Sequence, residues 1–249
     1  GAVGCFHLAA IASVARGNED WCGTHAVNVG GTVAVLDAAR RCGNLPVVYA
    51  SSAAIYGDAG EGRIAESVRP SPRSAYGADK MASELHAQAG FGVHGVPSIG
   101  FRFFNVYGPR QDPSSPYSGV ISIFADRIAS GRPITIHGDG GQVRDFVYVA
   151  DVVRHLMAGM SLLHDAPRAA VANVCTGRAT TIRDLADAIG RAAGRKPMLT
   201  YGAGRPGDIR SSIGDARLAT SMLGVAAKTT LDEGLAATLD SLQAPRAAA

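Results

Sequence analysis

Hydrophobic and polar positions follow two alternating rhythms along this chain. Short apolar runs at residues 3–8, 47–51, 98–103, 134–137 and 170–174 are bounded by Gly, Pro or polar residues. That is the pattern of buried strands. Between them, apolar residues recur at helical spacing over 20–42, 75–90, 120–130, 149–164 and 181–193. In the first of these helices Val29, Val33, Leu36 and Ala39 share a face, and Gly43 lies beyond the end. Thr181 reads as a cap, and Thr230-Leu231-Asp232-Glu233 as a capping box that opens the last helix. Residues 61–74 and 109–119, rich in Pro, Arg and Ser, read as loops. Strands alternating with helices predict an α/β fold with a parallel sheet covered on both faces.

Two segments carry candidate chemistry. Val47-Val48-Tyr49-Ala50-Ser51-Ser52 reads as a buried strand ending in a pair of hydroxyls, followed by Ala53-Ala54-Ile55-Tyr56-Gly57 in a loop. Open α/β sheets hold their ligands at the C-terminal ends of parallel strands. Further on, Tyr76-Gly77-Ala78-Asp79-Lys80 sets a phenol and an ammonium four residues apart, on one helix face. An ammonium near a phenol favours the phenolate, so Tyr76 is expected to act as a base below the usual phenol pKa of about 10. With seven tyrosines and three lysines in 249 residues, such a pair is uncommon by chance but not decisive. The alternative is a solvated helical pair.

Composition narrows the picture. The chain is 47% hydrophobic and 18% charged, enough for one large core or two small ones. The net charge of +3 is spread over scattered arginines, without a basic run, so a nucleic-acid footprint is missing. A mild positive balance suits an anionic small molecule. Four dispersed cysteines (Cys5, Cys22, Cys42, Cys175) form no Cys-x-x-Cys pair and are expected to be buried thiols of a reducing compartment. The sequence has no apolar run long enough to span a membrane, and residues 1–15 lack the basic start of a signal peptide. The histidines show no metal-ligand spacing, and His7 reads as a strand-end or core histidine. A cytoplasmic protein is expected.

The two segments, with their surroundings, resemble a known family. His7-Leu8-Ala9-Ala10, Asn28-Val29-Gly30-Gly31-Thr32, Ser52, Tyr76 and Lys80, Arg102-Phe103-Phe104-Asn105-Val106-Tyr107-Gly108-Pro109-Arg110, Val143-Arg144-Asp145-Phe146-Val147 and Arg205-Pro206-Gly207-Asp208 occur in order. In that order and approximate spacing the chain resembles the extended short-chain dehydrogenase/reductases of the NAD-dependent epimerase/dehydratase family, from residue 1 into the 240s. The UDP-glucose and UDP-N-acetylglucosamine 4-epimerases fit best.

The resemblance implies a Rossmann-like, doubly wound parallel sheet over residues 1–107. Residues 145–175 or so return to that sheet, and a smaller α/β substrate domain occupies most of 108–249. It implies Ser52, Tyr76 and Lys80 as catalytic residues, with NAD as cofactor. Leu8, Ala9, Ala10, Asn28, Tyr76, Lys80 and Phe104 would face NAD. Asn105, Arg144, Arg205, Asp208 and Ser212 would face a UDP-sugar. For Arg144 the competing reading is a salt bridge to Asp145, and for Arg205 an exposed loop arginine. A homodimer is implied, and neither nucleic acid nor membrane is a partner. Related 4,6-dehydratases carry an acidic pair directly after the catalytic hydroxyl. Here those positions are Ala53 and Ala54, so epimerisation through a 4-keto sugar is expected, with a reductase or decarboxylase as the runner-up. Ser212 is small where glucose-restricted relatives are bulky, which implies that N-acetyl sugars are admitted.

The sequence contains no Gly-x-x-Gly-x-x-Gly turn and no acidic residue placed for the adenine ribose. By resemblance about sixty leading residues are absent. Either the sequence is a piece of a longer enzyme, or the protein is naturally shortened and binds cofactor weakly, even as a nucleotide-binding pseudoenzyme. The strand at 3–8 is then expected to have an unpaired flank.

Overall fold

The structure is a computed structural model that describes residues 1–115, 119–204 and 208–243. Its strands in chain order are β1 Cys5–His7, β2 Val47–Ser52, β3 Arg63–Ile64, β4 Ser98–Phe103, β5 Asn105–Tyr107, β6 Ile134–His137, β7 Val143–Arg144, β8 Phe146–Tyr148, β9 Ala169–Val174, β10 Thr180–Thr181, β11 Leu199–Gly202 and β12 Ser211–Gly214. The helices are α1 Val14–Glu19, α2 Trp21–His25, α3 Gly31–Arg41, α4 Ala75–His94, α5 Val120–Ala129, α6 Val149–Asp165, α7 Ile182–Ala192, α8 Arg217–Leu223 and α9 Leu231–Gln243.

The expected parallel sheet is present, in the order β1-β2-β4-β9. Its register pairs Val48 with Ile99 and Ile99 with Ala170. Side chains alternate across its faces. Val47 and Tyr49 point toward α3 and α4, where they pack with Leu36, Ala39, Ala87 and Val96. Val48, Ile99, Phe101, Ala172 and Val174 point toward α6 and pack with Val152, Leu156, Met160 and Leu163. Gly100 is required by this packing, because a Cβ there would lie 2.5 Å from the Tyr49 ring. β1 pairs only with β2 among the described residues, and Phe6 on it is exposed.

A second core joins Phe124 and Ile128 of α5, Leu185 and Ile189 of α7, Leu235 and Leu239 of α9, and Ile134 and Ile136 of β6. Around it lie a four-stranded sheet, β10-β7-β12-β3, and the pairs β6–β11 and β5–β8. Both predicted caps form. Thr181 Oγ1 accepts from the Asp184 amide at 3.0 Å, and Thr230 and Glu233 exchange bonds at 3.3 and 2.8 Å.

Several expectations need correction. The helix read over 20–42 is interrupted by a π-turn at Ala26–Gly30. Val33 is exposed, because the Leu36 face of α3, and not the Val33 edge, meets the sheet. The helix read over 75–90 continues to His94 and stops at Gly95, whose left-handed φ of 73° ends it. The loop at 61–74 contains β3. Of the four cysteines only Cys175 is buried; Cys5 is partly covered, and Cys22 and Cys42 are exposed. No helix among the described residues is long and apolar enough to cross a membrane.

Candidate active site

The C-terminal ends of β1, β2 and β4 point to one side of the parallel sheet, and the chain leaves β2 there in a tight turn. Ser52 caps a 3₁₀ turn, Ala53–Tyr56, with its Oγ accepting from the Ala54 amide at 3.1 Å. α4 starts against this turn, capped by Ser74, whose Oγ accepts from the Gly77 amide at 3.1 Å. Gly77 is what allows the approach: a Cβ on it would lie 2.6 Å from the Ala54 carbonyl oxygen. The contact brings the first turn of α4, with Tyr76, over Ser52.

Tyr76 is partly covered and interacts with the Ser52 hydroxyl. Burial raises the Tyr76 pKa above the ordinary phenol value, and the hydrogen bond with Ser52 draws it only part of the way back. This reverses the expectation that Lys80 pulls the phenol down. The Lys80 ammonium lies 5.9 Å from the ring centroid and donates to the Ala50 carbonyl at 2.8 Å. Lys80 is buried, which pushes its pKa down to about 8 against the opposing charge of Asp79. Asp79 is itself buried, with one carboxylate oxygen bonded to His25 Nδ1 at 2.8 Å and the other without a partner.

Beside Lys80 stands His7 at the end of β1. Burial lowers its pKa and the charge of Lys80 adds to this, while its Nε2 contacts Thr32 Oγ1 at 3.1 Å. Leu8 and Ala9 follow, exposed, with Ala10 half-buried. Asn28, in the π-turn, is buried; it accepts from the Ile11 amide at 2.8 Å and donates to the Ile11 carbonyl at 3.2 Å. It therefore fixes the loop after β1 from beneath. Phe104 packs beneath the turn that Ser52 caps. Its ring is buried with Ile55, Tyr56, Ile64 and Cys175.

A second cluster forms where β5, β7 and the segment before β12 meet. Asn105, Gln142, Arg144 and Asp208 line a cavity of about 530 Å³, closed by Val120, Phe124, Ile136 and Ile182. Arg144 reaches Asp208 Oδ1 at 2.6 Å and the Ile209 carbonyl at 2.7 Å. It makes no pair with Asp145, which points to the opposite, buried side. There the Asp145 carboxylate accepts from the Thr176 and Gly177 amides at 2.8 Å, the Thr176 hydroxyl at 2.7 Å and the Gly214 amide at 3.2 Å. Burial still raises its pKa, though these bonds oppose it. The Asn105 amide donates to the Asp145 carbonyl at 2.9 Å, so the Asp145 segment holds Asn105 at the cavity. Ser212 stands opposite Arg144 in the sheet but does not line the cavity. Arg205 lies outside the described residues.

Sequence reasoning gave no site role to Glu84, Arg102, Tyr56, Asn173 or Gln142. Glu84 could have been found, since it is one further four-residue step along α4 from Lys80. The others are brought in only by the fold.

The NAD dependent epimerase/dehydratase family matches residues 3–175. The UDP-glucose 4-epimerase of Mycolicibacterium smegmatis is 36% identical over 236 residues, which are 94% of this chain and 74% of that protein. The crystal structure of UDP-glucose 4-epimerase from Thermotoga maritima with UDP-glucose has a TM-score of 0.90 at 35% identity, over 96% of this chain and 76% of that one. The UDP-glucose 4-epimerase of Thermus thermophilus in complex with NAD gives 0.86 at 36%, over 97% and 78%. With the family match extending from β1 to the end of β9, and such relatives over nearly all of its length, this chain belongs to the NAD dependent epimerase/dehydratase family.

Proposed function

We propose that this protein catalyses NAD-dependent epimerisation at C4 of a UDP-hexose, through a 4-keto sugar. The observation that carries the reading is the packing of the start of α4, with Tyr76 and Lys80, against the turn that Ser52 caps at the end of β2, a turn whose first two residues, Ala53 and Ala54, have no proton to give. The chemistry that bound NAD would supply is hydride acceptance from the sugar carbon and hydride return to it.

Every other step falls to the chain. Tyr76 takes the proton of the C4 hydroxyl and later returns it, while Ser52 hydrogen-bonds the same oxygen. The phenol is held neutral in the structure, so a positive charge brought beside it in the working complex would favour its ionised form. Lys80 fits the nicotinamide half of NAD. Its buried ammonium has three donors, and the Ala50 carbonyl is the acceptor that the described residues offer it. The exposed Leu8-Ala9 segment leaves an open apolar floor next to it. The pyrophosphate half has no glycine turn in this sequence to hold it.

The cavity at Arg144 suits the UDP portion. Its size falls within the range of small-ligand sites, and a guanidinium fork matches phosphate oxygens. Asn105, Arg144, Asp208 and Arg205 are the residues assigned to the nucleotide, and Ser212 to the room around C2 of the sugar. Elimination of water across C5 and C6 needs an acid and a base beside Ser52, and alanines cannot supply them. Assembly as a homodimer belongs to the same reading. The test is incubation of a form that also carries a pyrophosphate-binding glycine turn with UDP-galactose and NAD, followed by product analysis by NMR and mass spectrometry. UDP-glucose is expected. A 4-keto-6-deoxy sugar as the product would overturn the assignment in favour of dehydration.

A further inference from the structure

Three consecutive residues at the end of β2 each reach the same face of α4. Ser52 meets Tyr76, the Ala50 carbonyl accepts from Lys80 at 2.8 Å, and Ser51 Oγ donates to Glu84 Oε1 at 2.5 Å. Tyr76, Lys80 and Glu84 are spaced by four, so the helix places them in one row. Glu84 is the third rung, and the reaction proposed above gives it no chemical task.

Both Glu84 oxygens are also held by Arg102 of β4. Arg102 Nε donates to Oε1 at 2.9 Å and its NH2 to Oε2 at 2.6 Å. The two side chains are only 6% and 9% exposed. The guanidinium extends the network, with NH1 donating to the Tyr56 hydroxyl at 2.9 Å and to the Glu66 carbonyl at 3.3 Å. Tyr56 in turn donates to Asn173 Oδ1 at 2.7 Å. Ser51 directly precedes Ser52, and Tyr56 ends the turn that Ser52 caps. The network therefore grips the Ser52 segment on both sides, and it grips α4 through Glu84.

A buried ion pair is a poor source of stability, because desolvation offsets the attraction and an apolar pair of similar volume serves as well. What the bidentate fork supplies is direction. α4 cannot turn about its axis without breaking both bonds and leaving a buried charge unpaired. We propose that Glu84 and Arg102 are positioning residues that fix the rotation of α4 against the end of β2, and with it the placement of Tyr76 and Lys80 over Ser52. The inference rests on the reading of Ser52, Tyr76 and Lys80 as the reacting groups. Its test does not use turnover, so failure of one is distinguishable from failure of the other.

The chain has three lysines, Lys80, Lys196 and Lys228, so ε-¹³C lysine labelling gives a spectrum simple enough to titrate. The Lys80 signal is identified by its loss in Lys80→Met. In the parent, burial is expected to bring its titration down to about 8, in the company of Asp79 and His7. Two variants are compared: Glu84→Gln, and the pair Glu84→Leu with Arg102→Met, which replaces the charges at similar volume. In both, the Lys80 titration is expected to move up toward 10.5, as a loosened helix admits water to the ammonium. The paired variant is expected to melt no lower than the parent. In Glu84→Gln the direction is diagnostic, since removing the Glu84 charge without moving the helix would lower the Lys80 pKa, and in the pair the two lost charges largely offset. A Lys80 titration that stays near 8 or falls, in folded Glu84→Gln or in the folded pair, overturns the proposal. If the pair does not fold, Glu84→Gln decides alone.

Discussion

Replacing Lys80 by methionine should stabilise the fold while abolishing the proposed reaction. Lys80 is 5% exposed, and burial pushes its pKa from 10.5 to about 8. Between those two values the unfolded chain binds a proton that the folded chain has released, so stability rises with pH across that interval. Below about pH 8 the full cost of the buried charge is present, about 3 kcal/mol for that difference in pKa. It fades as the pH approaches 10.5. Methionine has similar length and no charge, so it removes this cost. The substitution leaves the Ala50 carbonyl without its donor, which costs about 1–2 kcal/mol, and takes a cation from beside Asp79. The expected net gain is about 1 kcal/mol at pH 7. Relative to the parent it should fall by about 2–3 kcal/mol between pH 7 and pH 10, because the parent recovers what the variant never lost. Urea unfolding of both proteins at the two pH values measures this, and other alkaline groups cancel in the difference. A stability difference that does not change with pH would refute the reasoning. So would a variant that is less stable at pH 7 by more than about 1 kcal/mol.

In a form that also carries a pyrophosphate-binding glycine turn, Tyr76→Phe should remove turnover and leave NAD binding near the parent value, since only the hydroxyl carries the proton; turnover within about threefold of the parent would remove Tyr76 from its role. Arg144→Ala should weaken UDP binding at least about tenfold by calorimetry, because a charged fork to phosphate is lost; unchanged binding would place the diphosphate elsewhere. Ser212→Tyr should lower kcat/KM for UDP-N-acetylglucosamine more than for UDP-glucose, and equal effects on the two would show that the position is not the gate.

Much of this site was legible because its parts are local. The Tyr76–Lys80 spacing is a property of one helix, and a hydroxyl at the end of an apolar run marks a strand end whatever surrounds it. The caps at Thr181 and Thr230 were legible for the same reason. What could not be read is what depends on closure in three dimensions. Arg102 finds Glu84, Tyr56 and Glu66 across 18 to 46 residues of chain, and nothing local in its strand announces a buried arginine. The direction of the Tyr76 pKa was misjudged because spacing reports that Lys80 is near. It does not report that Lys80 is desolvated and bonded to Ala50. Burial of Val33 and of three cysteines was overestimated for a related reason: hydrophobicity gives a residue's preference, while the packing partner decides its exposure.

The central claim is that a sugar C4 centre is oxidised and re-reduced over Ser52, Tyr76 and Lys80. The measurement that bears on it most directly is the conversion of UDP-galactose, by a form that also carries a pyrophosphate-binding glycine turn, with NAD in deuterium oxide, followed by proton NMR. The account predicts UDP-glucose that keeps protium at C4, with no net growth of the reduced-nicotinamide absorbance, because the hydrogen leaves and returns as hydride without meeting solvent. UDP-glucose carrying deuterium at C4, or stoichiometric accumulation of reduced nicotinamide without an epimer, would contradict it.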